Sequence, residues 1–190
     1  MRKVVLFMLV SADGYFEGPN HDITWHKVDD EFNEFAIAQT KKVGTLLFGR
    51  RTYQLMEAYW PTEQAVRYDP IVAGLMNNTP KVVFSKKLKK VEETEYWKNV
   101  RLIKDNAAAE VKKLKKQRGG DIAIYGSNNL CVSLMKGGLV DEFNLMINPI
   151  AIGSGTSIFK GLEGKLNLKL VKIKTFKNGN VLLCYQTVKK

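Results

Sequence analysis

Residues 4–10 (VVLFMLV) are apolar without a break and stop at Ser11-Ala12-Asp13-Gly14, which predicts a short strand buried on both faces. A polar loop follows from Ser11 to about Lys27. From Asp29 to about Lys41 the spacing changes: Phe32, Phe35, Ala36 and Ile37 recur at helical intervals, and acidic residues fill the first turn, where they complement the helix dipole. Val43–Phe48 reads as a second strand ending at Gly49, Arg50–Ala58 as a helix, and Tyr59–Pro70 as a loop. A short helical stretch at 71–78 precedes strands at Lys81–Phe84 and Val100–Ile103. Ala107, Val111 and Leu114 share one face of a helix from Ala107 to about Arg118, which Gly119-Gly120 ends. A fifth strand, Asp121–Tyr125, turns at Gly126-Ser127 into a helix from Asn128 to Lys136.

This alternation predicts a mainly parallel sheet covered by helices. The last third differs. Glu142–Ile150, Asn167–Phe176 and Val181–Val188 read as strands joined by turns, with Lys177-Asn178-Gly179-Asn180 a hairpin turn, so an antiparallel edge is expected. No linker, repeat or low-complexity tract divides the chain, and 190 residues at roughly 150 per domain predict one domain over 1–190.

Composition narrows the class. With 45% hydrophobic and 10% aromatic residues the chain can bury a core, which excludes disordered and collagen-like classes. Cys131 and Cys184 lie in apolar contexts without CxxC spacing, which argues against a disulfide framework or zinc site and for free thiols in a reducing cytoplasm. The seven-residue apolar run after Met1-Arg2-Lys3 is too short for a membrane span and is read as the first strand rather than a signal peptide. The net charge of +11 points to an anionic partner. It is localised: residues 81–118 carry 13 Lys/Arg against 5 Asp/Glu, residues 160–190 carry 8 against 1, and the remainder 9 against 13.

In an open α/β sheet, ligands bind beyond the carboxyl ends of the strands, where loops lead into helices with unpaired N–H groups. The strand ends examined on that rule are Ser11-Ala12-Asp13-Gly14-Tyr15, Gly49-Arg50-Arg51-Thr52, Ser85-Lys86-Lys87 and Tyr125-Gly126-Ser127-Asn128-Asn129-Leu130. Gly126 would let a diphosphate approach the backbone, and Ser127 could cap the helix and donate its hydroxyl. Arg50 could grip a second phosphate with two parallel hydrogen bonds. Neither a P-loop nor a GxGxxG pattern is present.

Together with Trp25, Val82-Val83-Phe84-Ser85 and Pro149-Ile150-Ala151-Ile152-Gly153-Ser154-Gly155, these segments resemble the dihydrofolate reductase-like superfamily. The branch they most resemble is the stand-alone relatives of the riboflavin-biosynthesis reductase domain, the RibD C-terminal type, from about residue 3 to 187. The resemblance implies an α/β three-layer fold: a mainly parallel central sheet, helices on both faces and an antiparallel C-terminal edge. It implies an NADPH-dependent oxidoreductase that passes hydride to a small heterocyclic or carbonyl/imine substrate. The activity it most suggests is that of 5-amino-6-(5-phosphoribosylamino)uracil reductase, with dihydrofolate or pterin reduction as the alternative. The Trp25–Lys27 region departs from the proline-rich loop of folate reductases, which tells against dihydrofolate.

Carried over by position, Gly49, Arg50 and Thr52 match a segment that meets the cofactor phosphates, with Arg50 at the 2′-phosphate. Ser85 falls near the adenosine, Gly126, Ser127 and Leu130 at the diphosphate turn, and Ala12 and Asp13 beside the nicotinamide. Lys86 could add charge at the 2′-phosphate. In dihydrofolate reductases an acid shortly after a tryptophan binds the pterin, which points to Trp25 and Asp30 at the substrate and to Asp30, as a partly buried carboxyl, for the proton. The resemblance also suggests a homodimer.

Other groups are read as structural. His21 and His26 lack a third metal ligand nearby, so no metal is expected. Asp141-Glu142 belongs with the fold, and Gly153-Ser154-Gly155-Thr156 reads as a turn that could alternatively touch a substrate phosphate. The competing classes are a nucleic-acid binder and a catalytically silent nucleotide binder. Aromatics do not interleave with the basic runs, so no nucleic-acid partner is expected, and no membrane.

Overall fold

The computed structural model describes residues 1–188; Lys189 and Lys190, at the end of the second basic block and of the expected 1–190 domain, lie outside the described residues. The chain forms β1 (Val4–Ser11), β2 (Tyr15–Glu17), a 3-10 turn at Pro19–His21, α1 (Asp30–Thr40), β3 (Val43–Gly49) and α2 (Arg50–Tyr59). Next come α3 (Glu63–Tyr68), α4 (Pro70–Asn78), β4 (Lys81–Phe84), β5 (Val100–Ile103), α5 (Ala107–Lys116), β6 (Asp121–Ile124) and α6 (Asn128–Lys136). The last elements are β7 (Glu142–Asn148), β8 (Thr156–Ser157), β9 (Leu168–Thr175) and β10 (Val181–Thr187).

Eight strands make one sheet in the order β5-β4-β3-β6-β1-β7-β10-β9. Every pairing from β5 to β7 is parallel, and β10 runs antiparallel to both β7 and β9. The alternation of side chains sorts the core into layers. Val4, Leu6, Met8 and Val10 of β1, with Leu47, Val82, Ile122, Ile124, Phe143 and Leu145, face Val111 and Leu114 of α5 and Leu130, Cys131 and Leu134 of α6. On the opposite face Leu46, Phe48, Val83 and Ala123 pack with Tyr53 of α2 and with Val72 and Met76 of α4. Phe32 and Phe35 of α1 cover Phe7, Leu9 and Met146 on that same face. The central sheet is therefore filled on both sides.

Three expectations change. The 59–70 segment is not all loop: Thr62 accepts from the Ala65 amide at 3.2 Å and caps α3, and Ala65 is fully buried. The 11–27 loop contains β2, which pairs with β8 through Tyr15 and Ser157. And β7 is parallel to β1, because α6 carries the chain back along the sheet after β6, so that β7 enters in the same direction as β6 and β1. Only β10 reverses direction, inserted between β7 and β9. The hairpin turn stands as expected: the Phe176 amide donates to the Asn180 carbonyl at 2.9 Å, and Gly179 takes φ +91.

Three lysines of the second basic block, Lys169, Lys172 and Lys174, lie on β9, an edge strand, and Lys169 and Lys172 are exposed. Lysines on an edge oppose strand addition by another chain. The acid pair after α6 serves the opposite end of the sheet: Asp141 accepts from the Val4 amide and pairs with Lys115, and Glu142 pairs with Lys3 at 2.8 Å.

Candidate functional site

Strands β3 and β6 lie side by side, yet the helices that follow them depart to opposite faces, α2 with the Tyr53 layer and α6 with the Leu130 layer. Such a divergence leaves a crevice at the carboxyl ends of the two strands. The crevice is a cleft of about 410 Å³, lined by Gly49, Arg50 and Arg51, by Phe84 to Lys87, by Ile103 to Ala107, and by Ser127, Asn129, Leu130 and Ser133.

Glycines let its floor close. The Gly49 amide donates to the Gly126 carbonyl at 3.0 Å. A Cβ on Gly49 would stand 2.1 Å from the Ser127 hydroxyl oxygen, and one on Gly126 would stand 2.7 Å from the Thr52 hydroxyl oxygen. Gly126 also has φ +117, where side chains are strained. The Gly126–Ser127 peptide is cis. Thus Gly49 and Thr52 at the β3–α2 turn and Gly126 and Ser127 at the β6–α6 turn form one junction.

The cleft is built for an anion. Neither α2 nor α6 has a side-chain cap, so the first-turn N–H groups at both N-termini are left without side-chain acceptors. Ser127 does not cap α6 with its side chain, contrary to expectation, because its Oγ lies against the Gly49 backbone instead. Arg50, Arg51, Lys86, Lys87 and Lys104 line the cleft against a single acid, Asp105. Lys86 pairs with Asp105 at 3.2 Å, with both side chains largely exposed, and Arg50 donates to Gln54 at 3.1 Å. Ser85 is committed locally: its Oγ accepts from the amides of Lys87 and Leu88 at 3.1 and 3.0 Å, folding the 85–88 turn.

Arg51 and Lys87 stand within the strand-end segments read from the sequence, whereas Lys104 and Asn106 do not. Lys104-Asp105-Asn106 directly follows β5, so the same strand-end rule applied to Val100–Ile103 would have found them. Asn106 accepts from the Ala109 amide at 3.0 Å and caps α5.

Ala12 and Asp13 lie outside this cleft, exposed at the end of β1, beside β6 in the sheet. The Asp13 carboxylate accepts from the amides of Ile152 and Gly153, the latter at 2.8 Å. The Ser11 hydroxyl first, and then the Gly153 amide, hold the Asp13 pKa below the ordinary carboxylate value. The N–H groups of the glycine-rich 152–153 turn are therefore occupied by this chain's own carboxylate.

Trp25 and Asp30 stand farther along the same sheet end, above β7 and the β9–β10 turn. The Trp25 indole donates to the Asp22 carbonyl at 3.1 Å, and its ring meets His26 edge-on at 4.4 Å. Asp30 is exposed in the first turn of α1, whereas the half-buried carboxyl here is Asp29, which caps the helix by accepting from the Phe32 amide at 2.9 Å. Burial lowers the His26 pKa, with the Phe16 backbone and Asp22 acting in the opposite sense. His21 pairs with Glu17 at 3.0 Å. Among the described residues no three His, Cys, Asp or Glu side chains converge as a metal site, and no helix is long and apolar enough to cross a membrane.

Comparison with known proteins shows the family and the fold. The family profile described as RibD C-terminal domain matches residues 2–182. The chain is 32% identical over 186 residues to the uncharacterized protein YyaP of Bacillus subtilis (strain 168), covering 97% of this chain and 94% of that protein. The crystal structure of a putative riboflavin biosynthesis protein from Shewanella sp. PV-4 superposes with a TM-score of 0.76 at 21% identity, covering 98% of this chain and 99% of that one. The dihydrofolate reductase of Enterococcus faecalis, solved in complex with NADP(H), superposes with a TM-score of 0.65 at 13% identity, covering 98% and 97%. The fold is thus dihydrofolate reductase-like.

Proposed function

Because the chain belongs to the RibD C-terminal domain family, we propose that it is a cytoplasmic NADPH-dependent reductase of a small heterocyclic or carbonyl/imine substrate. The substrate class we favour is 5-amino-6-(5-phosphoribosylamino)uracil, as in riboflavin biosynthesis. The single observation that carries this reading is the cationic cleft at the β3–β6 divergence, where two uncapped helix N-termini and five cations face one acid.

A polyanionic dinucleotide fits that donor set. Arg50 would take the 2′-phosphate, with Lys86, Lys87 and Lys104 adding field, and Ser85 would shape the turn near the adenosine. Gly49, Thr52, Gly126, Ser127 and Leu130 would form the diphosphate wall, with the α6 N-terminus contributing its amides. Ala12 and Asp13, at the end of β1, would border the nicotinamide. When bound, NADPH supplies the hydride.

The chain's own part is to orient the acceptor and to supply a proton. Trp25 has its indole N–H occupied by Asp22, which leaves the ring itself for substrate contact. Among the described residues the Asp30 side chain has no hydrogen-bond partner, so its carboxyl can meet a ligand, whereas Asp29 is spent as a cap. A substrate ring laid over Asp30 would shield its carboxyl from water and bring it within reach of the acceptor atom that needs the proton. We read residues 1–190 as one domain and the active species as a homodimer. Leu170, Val171 and Ile173, exposed on β9, offer apolar surface for such association.

NADPH oxidation measured against dihydrofolate, a dihydropterin and the ribosylaminopyrimidine phosphate tests the reading. The last should turn over fastest, and Asp30→Asn should lower kcat by about a hundredfold or more. Oxidation with none of them, or a thermal shift with oligonucleotides but not with NADPH, would contradict it.

A further inference from the structure

Two asparagines close the carboxyl end of the sheet beneath the Trp25–Asp30 segment, Asn148 at the end of β7 and Asn180 just before β10, both with no exposed surface. The Asn148 Oδ1 accepts from the Lys27 amide at 2.8 Å, and its Nδ2 donates to the Met146 carbonyl at 3.2 Å and to the Val10 carbonyl at 3.5 Å. The Asn180 Nδ2 donates to the Lys27 carbonyl at 2.9 Å. Both backbone polar groups of one exposed loop residue are thereby held by buried amides.

Packing alone does not account for Asn180. Its Oδ1 is buried without a partner, as is the Nδ2 of neighbouring Asn178, so an apolar side chain would avoid an unsatisfied group there. What the asparagine supplies is the bond to Lys27. The hydrogen bonds of Asp22, Thr24 and Trp25, and that of the His26 amide to Ile23, stay within residues 18–26 and tie the loop to itself rather than to the sheet. Further anchors are the Lys27 ammonium, which donates to the Asn178 carbonyl at 3.5 Å, and Glu31, which accepts from the Lys177 amide at 2.9 Å in the same turn.

Lys27 lies two residues after Trp25 and three before Asp30, and Asn148 pairs with Ser11, the last residue of β1. We propose that Asn148 and Asn180 are positioning residues: by gripping the Lys27 backbone they set Trp25 and Asp30 against the end of β1. This rests on the reductase reading for its consequence, namely that the proton donor is held at a fixed reach from the hydride. Neither asparagine belongs to the cationic cleft, so cofactor affinity should not depend on them.

The test uses Asn180→Ala and, because a core change can unfold the chain, Lys27→Pro, which removes the exposed residue's N–H, with Lys27→Ala as the control for its ammonium, which donates to the Asn178 carbonyl at 3.5 Å. Hydrogen exchange by mass spectrometry should show residues 23–30 exchanging at least about tenfold faster in both variants, with the β1 and β6 peptides unchanged. The NADPH dissociation constant should stay within about twofold. The kcat with the best substrate should fall roughly ten- to a hundredfold. Unchanged exchange at 23–30 overturns the proposal. So does a kcat equal to wild type in a variant whose loop exchanges faster or whose melting temperature has dropped. A wild type that binds NADPH but reduces no substrate would strike the reductase reading, and the exchange data would still decide whether the asparagines hold the loop.

Discussion

Gly49 ends β3 and Ser127 follows β6, yet a Cβ on residue 49 would stand 2.1 Å from the Ser127 Oγ. Gly49 has φ −75, so nothing in its backbone demands glycine; the requirement is one of space alone. That contact seals α2 and α6 together at the base of the cationic cleft.

Gly49→Ala should therefore separate the two helix N-termini. The expected loss is about 1–3 kcal/mol of stability, read by denaturant unfolding, with weaker NADPH binding read by titration. Ser127→Gly removes the opposing Oγ and Cβ, so the double variant should be more stable than the sum of the two single losses. Strict additivity would mean that the two residues do not press on each other.

Lys81 is buried at the start of β4, its ammonium donating to the carbonyls of Asn77, Thr79 and Lys98 at 2.8 to 2.9 Å and lying 4.3 Å from the centre of the Trp97 ring. Lys81→Met keeps the bulk but orphans those carbonyls, at an expected cost of about 3 kcal/mol near neutral pH. Burial draws the Lys81 pKa down to about 8, against a raising influence from Glu93, from an ordinary value of 10.5. Between those values the unfolded chain binds more protons than the folded one, so the wild type should gain stability over Lys81→Met as pH rises through that window. Denaturation curves collected across the window check the sign. A gap that narrows would contradict it.

His26 gives the same sign in a lower window. Burial, the largest influence, holds its pKa below 6.5 in the fold, so in acid the unfolded chain takes up a proton that the folded chain refuses. The stability it costs appears as pH falls through about 6.5 toward the folded value, and is absent above it. His26 Nε2 has no hydrogen-bond partner, so His26→Phe should cost little at pH 7 and should be the relatively more stable form near pH 5. Unfolding midpoints at the two pH values decide it.

Local pattern carried most of this architecture into view. Strands β4 and β5 and helix α6 occur at the residues their periodicity predicts, since each is a short apolar run closed by polar or glycine-rich turns. The misses have non-local causes. Pairing of Tyr15 with Ser157 joins residues far apart in sequence, and the parallel direction of β7 depends on a crossover that no hydrophobic period records. Helix α3 had a readable signal in Thr62-Glu63 but is only six residues long. At the site, cleft positions such as Gly49, Arg50, Ser85, Lys86, Ser127 and Leu130 followed from asking what stands at strand ends. The Lys27 clamp did not, because Asn148 and Asn180 look like ordinary turn residues until the fold brings them under one loop.

The central claim is that the cleft between α2 and α6 takes NADPH. Calorimetric titration of NADPH and NADH into the wild type and Arg50→Ala tests it most directly. Among the described residues the Arg50 side chain bonds only the nearby Gln54, so its loss should leave stability within about 0.5 kcal/mol. NADPH should bind at least about tenfold more tightly than NADH, and Arg50→Ala should erase most of that preference. An Arg50→Ala protein that binds NADPH as tightly as wild type, or a wild type that binds neither nucleotide, would contradict the account.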